Sequence, residues 1–79
     1  MRSLVDVVNK ILVIIGNQKQ SDNLITLQAE LRIISNRALY FPPEGTANIW
    51  TDLGTALYRY LPHPTDATWA WDIGKIIRG

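Results

Sequence analysis

His63 is the one residue of a type that exchanges a proton near neutral pH, and it stands between Pro62 and Pro64 in what reads as a turn. A catalytic histidine needs a nucleophile to activate and a carboxylate to orient it. The sequence contains no Cys, and no serine lies near His63 along the chain. The spacing therefore predicts a solvated loop histidine held between two rigid prolines. The carboxylates Asp6, Asp22, Glu30, Glu44, Asp52, Asp66 and Asp72 are well separated. Several fall where the first turn or cap of a helix would put them, and there the helix dipole explains an acid. A carboxylate metal site would cluster its ligands at i, i+3 or i, i+4, or would use an acidic loop with its glycine; neither pattern occurs. One His and no Cys leave nothing for a zinc site or a disulfide. Gly16, Gly45, Gly54, Gly74 and Gly79 are isolated, so no glycine-rich phosphate loop is present. The expectation is a chain that is not an enzyme and uses no cofactor or metal.

Charge narrows the choice of partner. Eight Lys/Arg oppose seven Asp/Glu for a net charge of +1, and the basic residues Arg2, Lys10, Lys19, Arg32, Arg37, Arg59, Lys75 and Arg78 are scattered singly. Counterion release from phosphates rewards a basic stripe, and there is none. A helix-turn-helix built from the last two helices would carry two prolines in its turn and would offer Asp66, Thr68, Trp71, Asp72 and Lys75 outward, too acidic a set to approach DNA. A DNA-binding helical regulator is a less favoured reading. The apolar stretch from Leu4 to Ile15 is broken by Asp6, Asn9 and Lys10 and is shorter than the roughly 20 residues that span a bilayer. It lacks the flanks of an export signal. The expected compartment is the cytoplasm.

The elements follow from periodicity. At helical spacing Leu4, Val5, Val7, Val8, Ile11, Leu12, Ile14 and Ile15 share one half of a cylinder; the competing reading is a buried strand over the β-branched run Ile11 to Ile15. Ser3 with Asp6 resembles an acidic capping box, and Gly16 with Asn17 is a helix stop. After a polar connection, Ser21 or Asp22 can cap a second helix that Pro42 ends. Thr46 can cap a third, with Ile49, Trp50, Leu53, Ala56, Leu57, Tyr60 and Leu61 on one side. Gly54 lies inside that helix, which suggests close approach of a neighbouring group. Thr65 or Asp66 can cap a last helix with Trp69, Ala70, Ile73, Ile76 and Ile77 inward. The expected fold is all-α, one domain over residues 1–79, a compact bundle of about four helices at roughly 3–15, 22–40, 47–61 and 66–78.

Two features exceed what such a bundle requires. The second helix has a main apolar row of Leu24, Leu27, Leu31, Ile34 and Ala38, and a second row of Ile25, Ala29 and Ile33 nearly opposite. Two readings stay open for that second row: central burial between neighbouring helices, or an interface between molecules. Trp71 projects away from the Trp69 side of its helix and is the better candidate, because Trp dominates binding energy at interfaces; otherwise it folds down over Ala67 or the turn from Pro62 to Pro64. The run Tyr40, Phe41, Pro42, Pro43 is a third candidate, or else plugs one end of the bundle. A domain this small buries only about 60–65% of its unfolded surface, so association is a physical expectation. The reading is a small helical protein-protein interaction module, an inhibitor or adaptor that forms homo-oligomers and binds a protein partner, with no membrane. That build suits genes of phages or other mobile elements. The alternative is an oligomeric small-ligand or nucleotide binder with a pocket between subunits, drawn from Tyr40, Trp71, arginines and helix N-termini.

Overall fold

The computed structural model describes residues 3–41 and 45–79, and among these it contains four α-helices and no strand. They are α1 (Leu4–Gly16), α2 (Asp22–Leu39), α3 (Ala47–Tyr60) and α4 (Ala70–Arg78). The all-α bundle expected from periodicity is the fold observed. The strand alternative for Ile11 to Ile15 is overturned, because these residues continue α1.

Local chemistry sets most of the ends. Ser3 accepts the Asp6 N–H at 3.4 Å and starts α1; Ser21 accepts the Leu24 N–H at 3.3 Å and starts α2, each satisfying an orphan donor of a first turn. Thr46 stands at the N-cap of α3 but makes no side-chain cap bond. Asn17 closes α1, and Tyr40 closes α2. Pro42, Pro43 and Glu44, to which the sequence reading assigns the end of α2 and part of an aromatic and proline cluster, lie outside the described residues, as does Arg2.

The start of α4 is a correction. The expected cap at Thr65 or Asp66 is replaced by a turn in which the His63 carbonyl accepts both the Asp66 N–H (2.8 Å) and the Ala67 N–H (3.1 Å). The His63 Nδ1 accepts the Thr65 N–H at 3.2 Å and lies 2.8 Å from the Thr65 hydroxyl. These bonds commit residues 63–67 to a turn, so the helix begins only at Ala70, with Trp69 at its N-cap.

Helix α2 packs against both α1 and α3, and α4 packs against α1. The core is formed by Leu4, Val7, Val8, Ile11 and Ile15 of α1, Leu24, Leu27, Leu31 and Ile34 of α2, Ile49, Leu53, Ala56 and Leu57 of α3, and Ala70 and Ile73 of α4. No polar or charged side chain among the described residues is buried in it. The Cα radius of gyration of 12.1 Å matches the roughly 12 Å expected for one compact domain of this length.

Glutamines fasten the connection between α1 and α2. Gln18 donates its side-chain N–H to the Ile14 carbonyl at 3.1 Å, and Gln20 donates to the Ile15 carbonyl at 3.1 Å and the Gln18 carbonyl at 2.8 Å. Gln28, on α2, donates to Gln20 Oε1 and to the Leu24 carbonyl. The Ile14 and Ile15 carbonyls also accept the Asn17 and Gln18 backbone N–H groups, so the glutamines add second bonds at the end of α1.

Candidate functional site

The main row of α2 and the second row meet different fates. Leu24, Leu27, Leu31 and Ile34 are buried, and Ala38 is partly buried against the same core. Ile25 is 56% and Ile33 59% exposed, with Ala29 exposed between them. Central burial of the second row is thereby overturned within one chain. The reason is topological: α1 and α3 both dock on the leucine side of α2, and α4 docks on α1, so the opposite side of α2 is left facing water. A side chain at i, i+4, i+8 drifts only about 40° per step round a helix, so Ile25, Ala29 and Ile33 form one continuous ridge. Tyr40, 85% exposed, extends the line of that ridge at the C-cap of α2.

Beside the ridge runs a groove between α2 and α3 of about 450 Å³, lined by Glu30, Ile33, Ile34 and Arg37 on one wall and Asp52, Thr55, Ala56 and Arg59 on the other. Arg37 Nη1 donates to Asp52 Oδ2 at 2.7 Å and ties the walls together. Two other open grooves lie elsewhere. One, of about 390 Å³, is between α1 and α4 near Lys10 and Lys75; the other, of about 300 Å³, is beside Arg59, Tyr60 and Trp69. Neither Tyr40 nor Trp71 lines any of these three grooves.

Trp71 is 51% exposed on α4. Lys75 and Arg78, both exposed, follow it at i+4 and i+7 and therefore share its face. Lys75 reaches Asp72 at 3.8 Å, a surface pair of little energetic weight. Phe41 is exposed as well, and with Tyr40 it stands out from the end of α2, so the described part of the aromatic run does not plug the bundle.

Gly54 is another correction. It is exposed, and a Cβ built on it would meet nothing within 4 Å, so no neighbour requires a glycine there. Tyr58, one turn on, is 83% exposed on the same outer side of α3 and went unassigned at the level of sequence; placing it at 100° intervals would have found it. Among the described residues no three His, Asp or Glu side chains converge on a metal-sized point, and no helix is long and apolar enough to cross a membrane. His63 is exposed and its ring is engaged with Thr65. Compared with family models, curated proteins and solved structures, the chain matches none of them.

Proposed function

We propose that this chain is a small helical interaction module that acts by binding protein surfaces, first of all other copies of itself, through the outer ridge of α2. One observation carries the reading: α2 keeps a second row of branched apolar residues in water although its first row already completes the core. A helix in a four-helix domain ordinarily needs one apolar face. Isolated exposed hydrophobic residues are ordinary, but a row at i, i+4, i+8 on one helix makes a contiguous patch.

Magnitudes indicate what kind of association to expect. The isoleucines are already partly covered, so pairing two ridges removes from water about half of each of four side chains, on the order of 4–6 kcal/mol in total. Association costs about 4–15 kcal/mol in lost freedom. The apolar term alone offsets only the low end of that cost, and polar contacts on the rim must add to it. Self-association is therefore reversible and rises with concentration. Trp71, flanked by Lys75 and Arg78, is a second anchor on a different helix; its chemistry suits a partner with an apolar hollow and an acidic rim.

The test is an NMR dilution series on isotope-labelled protein. The reading expects the amides of Ile25, Ala29 and Ile33 to shift with concentration, while those of Leu27 and Leu31 on the core side move much less. Spectra that stay the same along α2 over a wide concentration range would remove the ridge as a self-contact.

A further inference from the structure

Resting on the reading that the α2 ridge pairs with a second copy, we infer the register of that pair: the two α2 helices lie antiparallel, with Ala29 of both copies on the two-fold axis. A two-fold contact requires a self-complementary patch, in which residue i meets j and j meets i. The ridge has that symmetry. Ala29 is its one small residue, and an exposed isoleucine stands four residues to either side of it, Ile25 before and Ile33 after. Rotation by half a turn about an axis through Ala29 exchanges the levels of Ile25 and Ile33 and leaves Ala29 facing itself. The drift of about 40° per step places Ile25 and Ile33 on opposite shoulders of Ala29. Each isoleucine therefore lies beside the other copy's, not end-on to it. With alanine at the crossing point, the axes can approach to about 8 Å.

Charge supports the same register independently. Asp22 lies in the first turn of α2 and Arg37 in its last, at nearly equal distances from Ala29 and on the same shoulder of the ridge. Antiparallel pairing about Ala29 brings Asp22 of each copy level with Arg37 of the other, twice over. Parallel pairing would set Asp22 against Asp22 and Arg37 against Arg37. Arg37 already holds Asp52 through Nη1, and a guanidinium has five N–H donors, so a second carboxylate can be accepted on its other edge. Glu30 is turned toward the groove shared with α3, away from the crossing point. Arg32, exposed on the opposite shoulder, can lay its aliphatic stem over Ile25 of the second copy.

The chain has no Cys, so a single introduced thiol can form a disulfide only between copies. The experiment compares Ala29→Cys, Ile25→Cys and Ile33→Cys under mild oxidation, each checked by circular dichroism for an intact fold, alongside the light-scattering mass of the unmodified chain. The expected result is efficient covalent dimer from Ala29→Cys, and little from Ile25→Cys or Ile33→Cys alone. In the antiparallel register like positions at these two sites lie roughly 12 Å apart along the axis, beyond disulfide reach. An equimolar mixture of Ile25→Cys and Ile33→Cys is expected to yield the mixed dimer. Self-crosslinking of all three single variants would show a parallel pair and overturn the register. So would a non-covalent dimer in which Ala29→Cys fails to crosslink, although the α2 reading itself would survive if Ile33→Asp still dissociated that dimer. A mass of 9.0 kDa at every concentration would overturn both.

Discussion

Arg37 and Asp52 meet at 2.7 Å across the open groove between α2 and α3. Both side chains are close to half exposed, so water and salt screen the pair, and it is worth less than about 1 kcal/mol. Asp52→Asn should lower the melting temperature by no more than a few degrees, at about 4–8 °C per kcal/mol for a domain of this size. Thermal melting followed by circular dichroism checks this, and the gap to the unmodified chain should narrow as salt shortens the Debye length. A gap that persists at high salt would mean that the pair is more protected than its exposure indicates.

The two sides of α2 should respond in opposite ways to truncation. Leu31 is fully buried and Ile33 is mostly in water. Leu31→Ala should cost about 2–5 kcal/mol, through lost burial and the cavity left behind. Ile33→Ala should cost less than about 0.5 kcal/mol in the single chain, as surface substitutions do. Urea unfolding at low protein concentration, where self-association is negligible, measures both. Comparable losses would mean that Ile33 is buried within the chain.

The glutamine linkage at the α1–α2 connection should be energetically visible. Gln20 bonds to the Ile15 and Gln18 carbonyls and accepts from Gln28. Gln20→Ala removes all three at once and should cost about 1–2 kcal/mol, less than the sum of isolated bonds because the freed carbonyls can turn to water. Amide exchange in the last turn of α1 should accelerate in the same variant. Unchanged exchange there would show that the linkage holds nothing in place.

Gly54→Ala should stabilise the chain. The position is helical and exposed, and an added Cβ meets nothing within 4 Å. Alanine then gains about 0.5–1 kcal/mol from helix propensity and the narrower unfolded ensemble. A higher midpoint in denaturant is the expected outcome; a lower one would show that this side of α3 is covered in solution.

Much of the bundle was legible because amphipathic spacing and serine caps act locally. Ser3 and Ser21 start helices where their hydroxyls can reach the third N–H onward, and the buried rows of α1, α2 and α3 are those that periodicity selects. The start of α4 was not legible, since its outcome depends on the His63 carbonyl collecting two N–H groups, a tertiary detail of one turn. Gly54 misled because a helical glycine signals either close approach or mere tolerance, and only a neighbour's position decides which. For the candidate site, the sequence supplied Ile25, Ala29, Ile33 and Trp71 but could not place them in water, because that depends on which side of α2 its neighbours choose.

The central claim is that the outer ridge of α2 makes contacts between molecules, and the most direct measurement is light-scattering mass over a wide concentration range for the unmodified chain and for Ile33→Asp. The mass of the unmodified chain is expected to rise from 9.0 kDa toward twice that value, while Ile33→Asp stays at 9.0 kDa with its helical circular dichroism intact. A single-chain mass at every concentration, or an identical rise in both proteins, would contradict the claim.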